Sequence, residues 1–218
     1  MDRDIYLLSP TPKEGVLSLP MIEFSQIAQD INFSICDTLM FTSKQAVLTI
    51  NNIDKRWKNI PSIAIGRATK TQIEQLGGEV IYQPKHFYGE ELAKDIEIFF
   101  ANRKILYIRP KTISFDSKAY LMKKNILLNE KIIYETNCIK YNIDSKPPKS
   151  SIIIFTSPST IKCFLENFEW SDSYIAIVIG NATKVHLPPN SKYLVADEPL
   201  ISSCIKKAYK NLKISDNL

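Results

Sequence analysis

Two short peptides occur twice in this chain at one constant offset. Phe41-Thr42-Ser43 returns as Phe155-Thr156-Ser157, and Ile65-Gly66-Arg67-Ala68-Thr69-Lys70 returns as Ile179-Gly180-Asn181-Ala182-Thr183-Lys184, each displaced by 114 positions. One match of that length arises by chance, but two sharing an offset mark two copies of one supersecondary unit, and so a duplicated domain. A chain of 218 residues is long enough for two domains of ordinary size. Two similar domains in one chain are expected to leave a cleft, and clefts are where ligands bind.

Composition narrows the class. A hydrophobic fraction of 44% beside a charged fraction of 23% is that of a folded globular protein. No apolar run approaches the roughly 20 residues a membrane helix needs. The start, Met1-Asp2-Arg3-Asp4, lacks the basic-then-apolar pattern of a secretory leader. These features predict a cytoplasmic protein without a membrane partner. Cys36, Cys138, Cys163 and Cys204 are scattered with no Cys-x-x-Cys, and the histidines are only His86 and His186. That set predicts neither a metal site nor a disulfide framework; all four cysteines are expected to be reduced, small apolar residues, and both histidines surface residues. The net charge of +5 is mild and spread along the chain, with no Lys/Arg tract or aromatic signature, which argues against nucleic acid. A small polyanion fits the charge equally well, as does a solvated lysine-rich surface.

Short β-branched runs alternate with helical patterns, the mark of βα units and parallel sheets. The pattern predicts strands over 5–8, 38–42, 62–65, 80–83, 104–108, 131–134, 151–156, 174–179 and 193–196. It predicts helices over 44–50, 68–76, 90–100, 117–124, 158–168 and 200–212, the second stopped by Gly77-Gly78. Residues 17–24 and 134–142 flank the first repeat and read as extended, so they can pair as a two-stranded connector. The resulting division is 1–20 plus 140–218 as an outer domain and 21–139 as an inserted one.

Each repeated peptide falls where a strand ends and a helix starts. Ser157 is a natural N-cap with Pro158 as first helical residue, and Ser43 or Thr42 can cap in the first copy. Such ends offer free backbone N–H groups, a hydroxyl and the positive end of a helix, a combination that binds carboxylates without a cationic side chain. Gly66 and Gly180 are read as permitting a tight turn or close approach to a ligand, and Thr69 and Thr183 as supplying hydroxyls. Taken singly, any of these residues is equally well explained as an ordinary cap. Gly66-Arg67-Ala68-Thr69-Lys70 is not a phosphate-binding P-loop, because the first glycine is missing.

With these pieces assembled, the chain resembles the uroporphyrinogen-III synthase family. The resemblance is carried by Phe41-Thr42-Ser43-x-x-Ala46-Val47, Ile63-Ala64-Ile65-Gly66-x-x-Thr69, Ile108-Arg109, Tyr134-Glu135-Thr136, Phe155-Thr156-Ser157-Pro158-Ser159 and Val178-Ile179-Gly180-x-x-Thr183, in family order over nearly the whole chain. It implies two flavodoxin-like α/β domains, each a parallel sheet with helices on both faces, joined by a two-stranded β connector. It also implies a cofactor-free, metal-free lyase of haem biosynthesis that cyclises hydroxymethylbilane with inversion of ring D and loss of water. Tyr134 aligns with the tyrosine usually assigned as general acid, with Tyr141 as the alternative. Thr42, Ser43, Gly66, Thr69, Arg109, Ser157, Ser159, Gly180 and Thr183 fall to substrate binding. A monomer is implied, with at most transient contact to the preceding pathway enzyme. The chain departs from the pattern after the first strand, where a helix is shortened or lost, and after Thr183, where Pro188-Pro189 cuts a helix short; one face of the outer sheet is therefore expected to be more exposed. The rival reading is a non-catalytic bilobed protein that binds a small polycarboxylate.

Overall fold

The computed structural model describes residues 3–215. Met1 and Asp2, half of the segment read above for a leader, lie outside the described residues. In chain order the strands are β1 (Ile5–Leu7), β2 (Leu17–Ser18), β3 (Ile22–Gln26), β4 (Thr38–Phe41), β5 (Ser62–Ala64) and β6 (Val80–Tyr82). They continue as β7 (Ile105–Pro110), β8 (Leu128–Cys138), β9 (Ile152–Phe155), β10 (Ile175–Val178) and β11 (Lys192–Val195). The helices are α1 (Lys44–Ile53), α2 (Arg67–Gln75), α3 (Gly89–Phe99), α4 (Ser117–Met122), α5 (Pro158–Asn167), α6 (Asn181–Lys184) and α7 (Ile201–Ser215). The chain divides into two compact units, Met1–Glu23 with Asn137–Leu218, and Phe24–Thr136.

The first unit carries a sheet in the order β11-β10-β9-β1-β2, and the second a sheet in the order β3-β8-β7-β4-β5-β6. The pairs β1–β2, β1–β9, β9–β10 and β10–β11 are parallel, as are β4–β5, β4–β7, β5–β6 and β7–β8. Superposing the repeats, β4 on β9 and β5 on β10, makes β7 equivalent to β1 and β8 to β2. The parallel strands then run in one spatial order in both sheets, but the chain visits them in a circularly permuted sequence. The first unit reads as the flavodoxin order 2-1-3-4-5 and the second as 3-2-1-4-5. Of the segments expected to pair as a connector, Leu17–Ser18 instead joins the first sheet as β2, and the remainder pairs as β3 with β8, at the edge of the six-stranded sheet.

Strand β9 is a continuous apolar run, Ile152-Ile153-Ile154-Phe155, and all four residues are buried, as a parallel strand covered on both faces requires. In β4 the faces alternate: Leu39 and Phe41 pack with α1 residues and Trp57, whereas Met40 packs with Leu92 and Ile96 of α3 and Leu121 of α4. Trp57 is fully buried from a 3-10 turn over Lys55–Asn59 that the periodicity does not predict. Helix α2 ends as its sequence suggests. Gly77 takes φ +87, the Gly77 N–H reaches the Glu74 carbonyl at 3.0 Å and the Gly78 N–H that of Ile73 at 3.0 Å, which closes a Schellman motif.

No helix lies between β1 and β2, and α6 has four residues, so both departures seen in the sequence are present. The expected exposure is confined to the edge strand β11, where Lys192 and Tyr193 are exposed. One face of Ile5, Leu7, Ile152, Ile154 and Ile177 is sealed by Cys204 and Ala208 of α7, with Ile201 and Ile205 alongside. A second expectation is corrected: Cys138 and Cys163 form a disulfide. They are 25 residues apart, on the end of β8 and inside α5, and the fold brings their Cα atoms to 5.2 Å. Asn167 explains why these elements meet: its Nδ2 donates to the Ile139 carbonyl at 2.9 Å and its Oδ1 accepts from the Tyr141 N–H at 2.9 Å, clasping α5 to the segment after β8. Cys36 and Cys204 are the free cysteines among the described residues.

Candidate active site

In the second unit the strand order reverses at β4, whose neighbours are β5 and β7, and the carboxyl ends of strands at such a switch point are where open α/β sheets bind ligands. Thr42 and Ser43 follow β4 there, and each meets a tyrosine. The Thr42 Oγ1 lies 2.6 Å from the Tyr107 hydroxyl, and the Ser43 Oγ lies 2.9 Å from the Tyr134 hydroxyl. Consecutive residues point to opposite faces of a strand, so the two pairs straddle the sheet. Ser43, rather than Thr42, caps α1, with its Oγ accepting the Ala46 N–H at 3.1 Å.

Tyr134 reaches its face through an irregularity. Arg109 pairs with Ile132 and Pro110 with Tyr134, so Ile133 is skipped in the register. Ile133 and Tyr134 are both buried and pack with Phe41 in one cluster, although alternation would send one of them to each face. A β-bulge re-aims side chains in this way, and bulges are over-represented next to active sites. Phe24 meets the Tyr134 ring edge-on at 5.6 Å. Burial pushes the Tyr134 hydroxyl above its ordinary pKa, and the Ser43 hydrogen bond works against that rise. Burial also raises Tyr107, to about 12.

The Ile-Gly-x-Ala-Thr turns are built differently. Gly66 and Gly180 are the N-caps of α2 and α6, and no side chain caps either helix. Their φ values, −154 and −179, are extended backbone that any residue adopts. A methyl group at Gly180 would meet nothing within 4 Å, and one at Gly66 would make ordinary contact with Phe87 at 3.6 Å. Neither backbone conformation nor packing within its own unit requires a glycine at either position, and the space beside Gly180 is open. Thr69 and Thr183 are buried beneath these turns, at 4% and 2% exposure, not displayed on them.

Arg109 is already engaged. Its Nε lies 3.0 Å from Glu130 Oε1, an ion pair whose angle departs from a hydrogen bond, and one terminal nitrogen donates to the carbonyls of Pro110 at 3.0 Å and Lys111 at 3.2 Å. Ser157 sits in a capping box with Thr160, and Ser159 is half-buried in the first turn of α5. Tyr141, the alternative acid, donates to the Pro20 carbonyl at 2.8 Å and packs on Phe168 in the first unit. The structure thus groups Thr42, Ser43 and Tyr134 at one strand end, adds Tyr107 to them, and places Ser157, Ser159, Gly180 and Thr183 at the matching strand ends of the other sheet. Tyr107 escapes the sequence reading because a tyrosine inside an apolar β run looks like core. Among the described residues no group of three His, Cys, Asp or Glu could hold a metal ion, and no helix is long and apolar enough to cross a membrane.

This is a duplicated, doubly wound α/β protein with hydroxyl- and N–H-lined strand ends. The model of the family described as uroporphyrinogen-III synthase HemD matches residues 14–206, and the chain belongs to that family, the cyclising lyases of tetrapyrrole biosynthesis. The uroporphyrinogen-III synthetase of Helicobacter pylori matches with a TM-score of 0.79 and 26% identity, over 96% of this chain and 100% of that one. A mutant uroporphyrinogen III synthase of Thermus thermophilus shares the fold at 10% identity, with a TM-score of 0.62 over 98% of this chain and 100% of that one. Comparison with curated proteins gives no match.

Proposed function

We propose that Tyr134 is the general acid of ring closure and that the four repeated strand ends bind the carboxylates and pyrroles of hydroxymethylbilane. The supporting observation is the Ser43–Tyr134 hydrogen bond at 2.9 Å, at the carboxyl ends of the strands. Tyr134 gives its proton to the terminal hydroxyl of ring A, which departs as water while the pyrrole electrons form the azafulvene. Ser43, whose Oγ already accepts the Ala46 N–H, turns its own O–H toward the resulting phenolate and stabilises it. The azafulvene is attacked by the substituted carbon of ring D, the spiro intermediate reopens and recloses with ring D inverted, and the proton lost on rearomatisation returns to Tyr134. The balance is one water lost.

A phenol with a raised pKa is fully protonated at neutral pH but donates weakly, so most of the acceleration comes from folding a flexible substrate into the inverted geometry. The N–H groups following Gly66 and Gly180 take carboxylates without capping competition, Thr69 and Thr183 support those turns from below, and Ser157 and Ser159 serve the start of α5. Arg109, assigned to the substrate side, is tied to Glu130 and to the carbonyls of Pro110 and Lys111, and so shapes the turn after β7. The enzyme works as a cytoplasmic monomer that receives its substrate from the preceding enzyme by diffusion or transient contact. Sedimentation of the purified protein as a dimer at working concentration contradicts the monomer. Tyr134→Phe is expected to lower kcat about 10- to 100-fold with KM little changed; wild-type kcat removes Tyr134 from the chemistry.

A further inference from the structure

Tyr107 has no part in the scheme above, and the duplication supplies an internal control for it. Tyr107 of β7 pairs with Met40 of β4, and at the matching register position of the other sheet Leu7 of β1 pairs with Ile154 of β9. Both side chains are buried, at 2% and 0% exposure. Leu7 fills its place with hydrocarbon alone, so packing of this sheet architecture does not demand a phenol there. A buried phenol hydroxyl is costly unless it is bonded, and that of Tyr107 is bonded to one group, the Thr42 Oγ1 at 2.6 Å. The counterpart of Thr42 is Thr156, which has a leucine in place of the tyrosine.

We propose that Tyr107 is a positioning residue for ring closure: its hydroxyl fixes the Thr42 side chain in one rotamer, so that Thr42 presents its own O–H to the substrate at the end of β4. The proposal rests on the assignment of Thr42 to substrate binding. The polarity of the pair follows from chemistry. A phenol is a stronger donor and a poorer acceptor than an aliphatic alcohol, so Tyr107 donates and Thr42 accepts, which leaves the Thr42 proton free to point outward. Burial that raises Tyr107 to about 12 keeps that donor protonated at every pH at which the enzyme works. Met40, Ile63, Leu92, Ile96, Leu121 and Leu128 share its buried cluster, and the ion-paired Arg109 and Glu130, the latter opposite Tyr107 in β8, act on the hydroxyl through their charge while its hydrogen bond goes to Thr42.

A threonine released from this bond samples about three staggered χ1 wells instead of one, which alone dilutes the productive rotamer about threefold. The test compares Tyr107→Phe, Thr42→Val, Thr42→Ser and the Tyr107→Phe/Thr42→Val double variant, each checked for native melting, by KM, kcat and the ratio of uroporphyrin isomers III and I. Tyr107→Phe is expected to raise KM three- to tenfold and to increase the share of isomer I, with kcat changed less. Thr42→Val is expected to lose at least as much, Thr42→Ser to recover part of it, and the double variant to be no worse than Thr42→Val, because Tyr107 acts through Thr42. Should Tyr107→Phe not fold, Tyr107→Leu, the arrangement of the other sheet, takes its place with the same expectations. An impaired Thr42→Val beside an unaffected Tyr107→Phe overturns the positioning role alone, as does a multiplicative double variant. Wild-type KM and isomer ratio in Thr42→Val overturn the assignment of Thr42 on which it rests.

Discussion

Breaking the bond between Cys138 and Cys163 gives the sharpest stability prediction. The bridge closes a loop of 25 residues, running from the end of β8 through β9 to the middle of α5. Loop-closure entropy for that length makes the unfolded chain less favourable by about 3.5 kcal/mol at 25 °C. With a urea slope of ~1.5 kcal/mol/M for a unit of this size, reduction is expected to lower the midpoint by about 2 M. The loss falls on the unit containing Asn137–Leu218, so a two-step transition with only one step moved is the expected form. The Asn167 bonds to Ile139 and Tyr141 survive reduction, so the native fold of that unit is expected to persist in the absence of urea. The assay is urea unfolding followed by circular dichroism, with and without reductant, beside a thiol count in denatured protein. Two titratable thiols, Cys36 and Cys204, are expected before reduction and four after. Four thiols without reductant return all four cysteines to the reduced state suggested by composition, and a midpoint that moves by less than about 0.5 M refutes the loop-closure reasoning.

Three further outcomes follow from named contacts. The folded-state pKa of Tyr107 is raised to about 12 from its ordinary 10.0, so the unfolded chain releases this proton first. The stability it carries is complete below pH 10 and is lost as pH climbs from 10 to 12, by an amount on the order of 2–3 kcal/mol; alkaline unfolding that is equally steep in Tyr107→Phe contradicts this. Gly180→Ala adds a methyl group into space where the protein has no atom within 4 Å, so the melting temperature should hold within the change expected for ~0.5 kcal/mol while KM rises several-fold; unchanged KM means the space is not used by substrate. Gly78→Ala places a carbon 2.5 Å from the buried Trp57 ring, and overpacking of about 1–3 kcal/mol should appear as earlier melting, with an unshifted melt showing that the ring relaxes freely.

What the chain reveals without coordinates depends on how local each cause is. The run Ile152-Ile153-Ile154-Phe155 announces β9, Ser157-Pro158 announces α5, and Gly77-Gly78 announces the end of α2, because each signal lies within a few residues of its effect. The constant offset of the two repeats likewise announces duplication. Circular permutation of the sheets is hidden, because it depends on which strands become neighbours across the sheet. The same holds for the disulfide, whose partners are brought together by the fold of one unit and not by spacing. The bulge at Ile133 hides for another reason: Ile132-Ile133-Tyr134 is equally apolar in either register, and the skipped residue shows only against β7. Gly66 and Gly180 stand out in the sequence by their recurrence, and their extended φ values show that turn geometry is not its cause. Thr69 and Thr183 repeat as faithfully as the glycines and yet are buried, so recurrence alone does not separate a residue that touches substrate from one that supports the turn beneath it.

The central claim is that this chain directs closure of hydroxymethylbilane to the inverted isomer by holding it at the repeated strand ends. The most direct measurement generates hydroxymethylbilane in situ, adds the purified protein, oxidises the products and separates uroporphyrins I and III. Predominantly isomer III, with its yield reduced by Tyr134→Phe, is the predicted result. Isomer I alone, formed at the rate seen without protein, contradicts the account.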